Sequence, residues 1–266
     1  MSTIKRFAIL IESSHVAGHD DLAGARKDIQ LWKSFLMSDL GGAWDTSEIV
    51  ELHMPSLNLV KGYIKAHLGD YVFVAFSGHG KEEEYTDGTS TIFACLNNSD
   101  GYVKVDEITP QYKGVAVFDC CRWNDGTLIK KGFALANAVP AMDSIVENTQ
   151  RYAVTDCERK TIRLNKKKAY LDYLEKCGTY PVQMFACAKR ESANDDENGG
   201  FYTTLLINGA KQWEKDIAWK FSNYIVYTTK QAHDYASAKM FPERGSSQKP
   251  EYRSASFNQQ YPFAVG

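Results

Sequence analysis

Four short runs that are apolar almost without a break, residues 7–11, 71–76, 115–118 and 182–186, recur along this chain with amphipathic or polar stretches between them. A strand that is apolar on both faces must be buried on both faces, which is the situation in a parallel sheet whose crossover connections lie over it. The intervening segments supply such crossovers. Residues 22–40 carry Ile29, Trp32, Phe35 and Leu36 at helical rhythm and stop at Gly41-Gly42. Residues 57–68 set Val60, Ile64 and Leu68 on one helical face and close on Gly69-Asp70. Residues 91–105, broken by the polar stretch 97–101, read as a hairpin. The expected class is α/β, a mostly parallel central sheet flanked by helices, with one domain over 1–266.

Two regions fit the alternation less well. Residues 124–180 are polar, carry Lys166-Lys167-Lys168 and show only a short amphipathic piece near Tyr170 to Leu174, so they read as an insertion or linker. Residues 207–266 read as a helical extension packed on the same domain, with one or two helices between Trp213 and Met240. A hydrophobic fraction of 44% supplies a core, and a net charge of -2 gives no field that would draw nucleic acid. The N-terminal apolar run is only five residues long before Glu12, too short for a signal or membrane segment, so a cytoplasmic setting is expected. Six cysteines without paired metal spacing point to reduced thiols and to no metal and no cofactor.

The chemistry-bearing residues gather where two of the apolar runs end. In open parallel sheets the carboxyl ends of the strands are where ligand crevices form. Ser77-Gly78-His79-Gly80 follows the run 71–76, and its glycines let the backbone turn and approach a substrate. His79 is suited to proton transfer near neutral pH, and the Gly80 N–H to facing an oxyanion. Asp119-Cys120-Cys121-Arg122 follows the run 115–118. Adjacent residues on an extended chain point to opposite sides, so only one of the two cysteines can face a crevice. Each motif also has a plain structural use: a Gly-His-Gly turn can be a turn, and cysteine packs as a small hydrophobe. Zinc is poorly served by adjacent cysteines without a second Cys/His cluster.

Taken in order, Ser-Gly-His-Gly after one strand and Asp-Cys-Cys-Arg after the next resembles the caspase, metacaspase and paracaspase superfamily, whose histidine lies roughly 50 residues upstream of the cysteine. Asp119-Cys120-Cys121-Arg122 is similar to the Asp-x-Cys-Arg of paracaspases, whereas Arg122-Trp123-Asn124 departs from the His-Ser-Gly that follows the metacaspase cysteine. Met184 to Ala188, Glu191, Ala193 and Gly199 to Thr203 look like the family's next strand, substrate loop and helix. Gln248-Lys249-Pro250 and Tyr261-Pro262-Phe263 look like metacaspase endings. The resemblance implies the caspase-hemoglobinase fold, Cys121 as nucleophile, His79 as acid/base, and the Gly80 and Cys121 amides as oxyanion donors. It also implies an S1 pocket acidic through Asp28, Asp119 and Glu191, hence a protein or peptide substrate cleaved after arginine ahead of lysine. Each carboxylate alone also fits a solvated charge, and Asp119 fits a backbone anchor.

The resemblance extends to regulated proteolysis in cell death or defence, with a separate activator protein. Residues 124–180 occupy the position of the intersubunit linker, so self-cleavage at Lys130, Lys131, Arg151, Arg159 or Arg163 is a further expectation. His15 and His19 flank Gly18 near the same sheet edge and are candidates for the cleft wall. Asp195-Asp196-Glu197 reads as a solvated tip, with calcium as its other use. Other classes remain open: a silent caspase-like adaptor or binding module, or another cysteine hydrolase or acyltransferase on a similar sheet.

Overall fold

A computed structural model describes residues 4–122, 155–217, 223–240, 248–256 and 260–266. Strand β1 (Arg6–Ser13) leads through helix α1 (Ala23–Met37) to β2 (Ile49–His53), and α2 (Leu57–Ala66) returns the chain to β3 (Tyr71–Gly78). An antiparallel subsheet of β4 (Gly80–Glu84), β5 (Ser90–Asn97) and β6 (Gly101–Lys104) precedes β7 (Gly114–Asp119). Then come α3 (Asp156–Lys176), β8 (Val182–Phe185), the short ladder of β9 (Asp195–Asp196) with β10 (Gly199–Gly200), and α4 (Phe201–Ile217). The chain closes with β11 (Val226–Thr228), α5 (Thr229–Met240), β12 (Glu251–Ser254) and β13 (Pro262–Val265). The central sheet has the order β12-β8-β7-β3-β1-β2, parallel throughout except for the antiparallel β12.

Side-chain alternation sorts the sheet into two cores. Leu10, Phe73, Ala75, Val115, Val117 and Met184 face the layer built by α1, α3, α4 and α5, with Trp32, Tyr170, Tyr202 and Phe263 among its large side chains. Ile9, Val74, Phe76, Ala116, Phe118 and Phe185 face α2 and the β4–β6 subsheet. The apolar runs therefore bury both faces, as expected of parallel strands. Helix α1 ends where Ser38 N–H bonds Phe35 O, and Gly42 follows at φ 99°, where a Cβ would meet the Tyr170 ring at 2.5 Å. Helix α2 starts on Ser56, whose hydroxyl accepts from Leu59 N–H.

Two expectations change. Within the region read as a linker, residues 156–176 form a 21-residue helix whose only buried stripe is Lys166, Tyr170 and Leu174. Its other faces are polar, so periodicity is weak. A capping box between Thr155 and Glu158 starts it, and Arg163 ties it to Met37 O, Trp44 O and Asp39. Residues 123–154, with Lys130, Lys131 and Arg151, lie outside the described residues. The tail is not purely helical: residue 207 falls inside α4, β11 pairs with β13, and β12 becomes the sixth strand of the main sheet. Among the described residues no helix is long and apolar enough to cross a membrane.

Candidate active site

Strands β3 and β7 run side by side in parallel, with Ser77 opposite Asp119. The two strands end at Gly78 and Asp119, which leaves His79 and Cys121 just past the carboxyl ends of neighbouring strands. Alternation then decides which side chains share a face. Phe76, Phe118 and Cys120 belong to the core on the α2 side. Ser77, His79, Asp119 and Cys121 occupy the alternate positions, which continue the face covered by α1. Cys120 is 3% exposed and packs as an apolar plug, whereas Cys121 is half-buried. A Cβ on Gly80 would lie 2.6 Å from Cys120 Sγ and 2.7 Å from Cys121 O, so only glycine fits this close to the cysteine pair.

The His79 ring has one nitrogen committed. Nε2 lies 2.9 Å from the carbonyl oxygen of Asp20 in the loop after β1. A carbonyl only accepts, so Nε2 carries the proton and Nδ1 presents its lone pair. Burial lowers the His79 pKa from its ordinary 6.5, with the nearby His19 ring adding to the effect against opposing contributions from Asp20 and Asp21. The imidazole is therefore neutral at pH 7. The His19 ring lies against His79 at a tilt of 33°, 4.6 Å between ring centres, and its Nε2 lies 3.2 Å from the Tyr102 hydroxyl. His15 instead faces solvent and pairs with Asp21.

The Cys121 thiol rests under the loop that follows β8. Its Sγ lies 3.7 Å from Ala193 O. Burial raises its pKa above the ordinary 9, the Ala193 and Ser192 contacts oppose this, and Asp195 and Asp119 add to the rise. The Cys121 thiol and the His79 imidazole are thus both shifted toward their neutral forms. The next residue, Arg122, is fully buried; its side chain bonds Glu82 of β4, Glu251 of β12 and Cys187 O.

The structure gathers carboxylates next to this pair, though not the three expected from the sequence. Asp28 is fully buried on α1, accepting from Ser77 Oγ at 2.6 Å and from Gly200 N–H at 2.7 Å. Asp119 accepts from Thr203 N–H at 3.0 Å and Thr203 Oγ1 at 2.8 Å, both on Oδ2, in the first turn of α4. Burial raises both pKa values, Asp119 to about 6 and Asp28 well above its ordinary 3.8, with Asp119 repulsion contributing to the latter. The third member is Asp195, exposed at the rim, bonded to Gly24 N–H at 3.2 Å and acting electrostatically on Asp28, Asp119 and Cys121. Glu191 is turned elsewhere: its Oε2 accepts from Ala188 N–H at 3.0 Å and Lys249 N–H at 2.6 Å, which holds the loop's shape.

Asp195 was read above as a solvated tip because it begins a run of acids. The signal that marks it is the Gly199-Gly200 doublet, where a Cβ on Gly199 would lie 2.7 Å from Asp28 Oδ1 and one on Gly200 would collide with Asp119 Oδ2. Such closeness folds β10 back on β9 and brings Asp195 to the other acids. Among the described residues no group of three or more His, Cys, Asp and Glu is arranged to hold a metal ion.

A search of curated proteins finds no match. Among solved structures the chain is similar to the crystal structure of protein GSU0716 from Geobacter sulfurreducens, with a TM-score of 0.55 and 15% identity over 98% of this chain and 99% of that one. That likeness concerns the fold. The caspase domain of peptidase family C14 matches residues 5–262, and with nearly its whole length inside that match this chain belongs to the caspase-domain family of cysteine peptidases.

Proposed function

We propose that the chain is a cysteine endopeptidase that cleaves after a basic residue, arginine ahead of lysine, through Cys121 and His79. The observation that carries this reading is the bond from His79 Nε2–H to Asp20 O, which leaves Nδ1 as a proton acceptor just past the end of β3, the neighbour of the strand that leads to Cys121. Proton transfer from Sγ to Nδ1 accompanies attack of sulfur on the scissile carbonyl carbon. The Gly80 and Cys121 amides receive the oxyanion. The imidazolium then protonates the leaving amine, and a water deprotonated by His79 releases the acyl group. No third acid is needed, because the Asp20 carbonyl already fixes the tautomer.

Basic specificity rests on Asp119 and Asp195, with Asp28 behind them. Among the described residues both side-chain hydrogen bonds to Asp119 fall on Oδ2, leaving Oδ1 for a guanidinium, and a buried charge-assisted pair is stronger than one in water. A buried acid held above its ordinary pKa gains a partner when a cation enters, which favours arginine over an uncharged side chain. A role in regulated proteolysis during cell death or defence follows the family resemblance alone. A separate activator would act on the loop that covers Cys121.

The test is hydrolysis of matched fluorogenic peptides with Arg, Lys or Asp before the scissile bond, with and without calcium. Turnover after Arg that vanishes in Cys121→Ala and survives in Cys120→Ala is the expected result. Cleavage after Asp overturns the pocket assignment. An intact, alkylatable Cys121 with no turnover of any peptide in an activated preparation favours the adaptor.

A further inference from the structure

The loop between β8 and β9 carries Ala193 over the Cys121 thiol and delivers Asp195 to the acidic cluster, and it is buried at its start through Ala186 and Cys187. Its middle is tied to the residue after Cys121, by Arg122 N–H to Glu191 O at 2.9 Å and Arg190 N–H to Arg122 O at 3.2 Å, and its two ends are joined through the segment that leads into β12. Gln248 is 2% exposed and meets both ends of the loop. Its Nε2 donates to Ala186 O at 3.0 Å, immediately after β8, and its Oε1 accepts from Asn194 N–H at 3.3 Å and Asn194 Nδ2 at 2.8 Å, immediately before Asp195. Lys249 N–H bonds the Glu191 carboxylate between those points, and Glu251 reaches Arg122, the residue after the nucleophile, at 2.7 Å.

We propose that Gln248 is a positioning residue whose side-chain amide staples the two ends of the 186–194 loop, thereby fixing both the cover over Cys121 and the place of Asp195. A side-chain amide is the group this task requires, since one bond needs a donor and two need an acceptor on a single planar fork. Replacing it with an apolar isostere leaves Ala186 O and the Asn194 groups unpaired and lets the loop open. The inference rests on the reading of Cys121 and Asp195 given above, but its main readout does not depend on peptidase activity.

The experiment compares wild type with Gln248→Met and, from the other side of the contact, Asn194→Ala. Native protein is treated with iodoacetamide, and alkylation of Cys121 is followed by peptide mass spectrometry, with exposed Cys157 as internal reference. The staple predicts alkylation of Cys121 about tenfold faster in both variants, with Cys157 unchanged, a factor equivalent to losing roughly one buried hydrogen bond. For an Arg peptide it predicts a KM raised by about the same factor and a kcat within about threefold, because the loop sets the pocket and not the acid/base pair. Wild-type alkylation rates at Cys121 in both variants overturn the proposal. If wild type turns over no Arg peptide, the peptidase reading fails, and the alkylation rates still decide the role of Gln248.

Discussion

Arg122 and Glu82 meet out of reach of solvent, with Nε at 2.8 Å and a second guanidinium nitrogen at 2.7 Å from the same carboxylate oxygen, both side chains 1% exposed. The pair joins the strand that leaves His79 and Gly80 to the residue that follows Cys121. Removing Arg122 strands the buried Glu82 carboxylate, so Arg122→Met is expected to destabilise the fold by about 3 kcal/mol or more, whereas Glu82→Gln leaves Arg122 paired with Glu251 and should cost less. Urea unfolding of Glu82→Gln, Arg122→Met and the double variant checks this. The double variant should lose much less than the sum of the single losses, and strict additivity would contradict the pairing.

Gly80→Ala should strike the site more than the fold. Its Cβ would sit 2.7 Å from Cys121 O and 2.6 Å from Cys120 Sγ, so the nucleophile loop has to move. Overpacking of this kind costs about 1–3 kcal/mol. Displacement of an oxyanion donor lowers kcat by about 100-fold or more. The check is steady-state kinetics on protein shown by melting to be folded; a kcat within twofold of wild type would remove Gly80 from the oxyanion site.

Asp119 makes stability and binding respond to pH in opposite directions. Its folded pKa of about 6 lies above the ordinary 3.8, so the folded state holds the proton more tightly. The stability tied to that proton is fully present below about pH 4 and is lost as pH rises through 6, a change on the order of 3 kcal/mol. Asp119→Asn should therefore show a flatter stability profile between pH 4 and 7 in urea unfolding. On the proposed pocket, ionisation over the same interval creates the charge for a cationic side chain, so KM for an Arg peptide should fall as pH rises through 6.

The resting thiol should behave as a thiol. With Cys121 raised above its ordinary value and His79 lowered below its own, the thiolate–imidazolium form is disfavoured. Iodoacetamide alkylation of Cys121 in unliganded protein should climb about tenfold per pH unit from pH 6 to beyond 8. A plateau between pH 5 and 7 would reveal a preformed ion pair.

The two candidate acids of the 186–195 loop separate by substitution. Asp195→Asn should lower kcat/KM for an Arg peptide about 10- to 100-fold, through KM. Glu191→Gln keeps an oxygen that can accept from Ala188 or Lys249 and should change kcat/KM by less than about fivefold. The reverse order would return Glu191 to the pocket.

The buried strands were legible because continuous apolar runs have few other uses. Strands β2, β4 and β12 were not. Ile49–His53 lies at the sheet edge and mixes apolar with charged residues, Gly80–Glu84 is mostly charged, and Glu251–Ser254 has no buried residue. In β4 the hydrophobic pattern is defeated by Glu82, a carboxylate buried because Arg122 comes from elsewhere in the chain to meet it. At the site, alternation alone assigned Cys120 and Cys121 to opposite faces, and the family resemblance pointed to Asp28 and Asp119. The Asp20 carbonyl leaves no trace in a sequence, since every residue has one. Asp195 was hidden by its acidic neighbours, and its importance arises from the β9–β10 turn.

Strand β12 closes one side of the central sheet by running against its neighbours, and it occupies the outward-facing ladder of β8. Two copies of this chain therefore cannot merge their sheets through β8 while that strand stays in place. Its four residues include Glu251 and Arg253, charges that discourage a further strand from adding beyond it. Peeling it away would free β8 for a partner and, in the same movement, withdraw Glu251 from Arg122. Self-association along this edge would thus be mechanically linked to the residue beside Cys121.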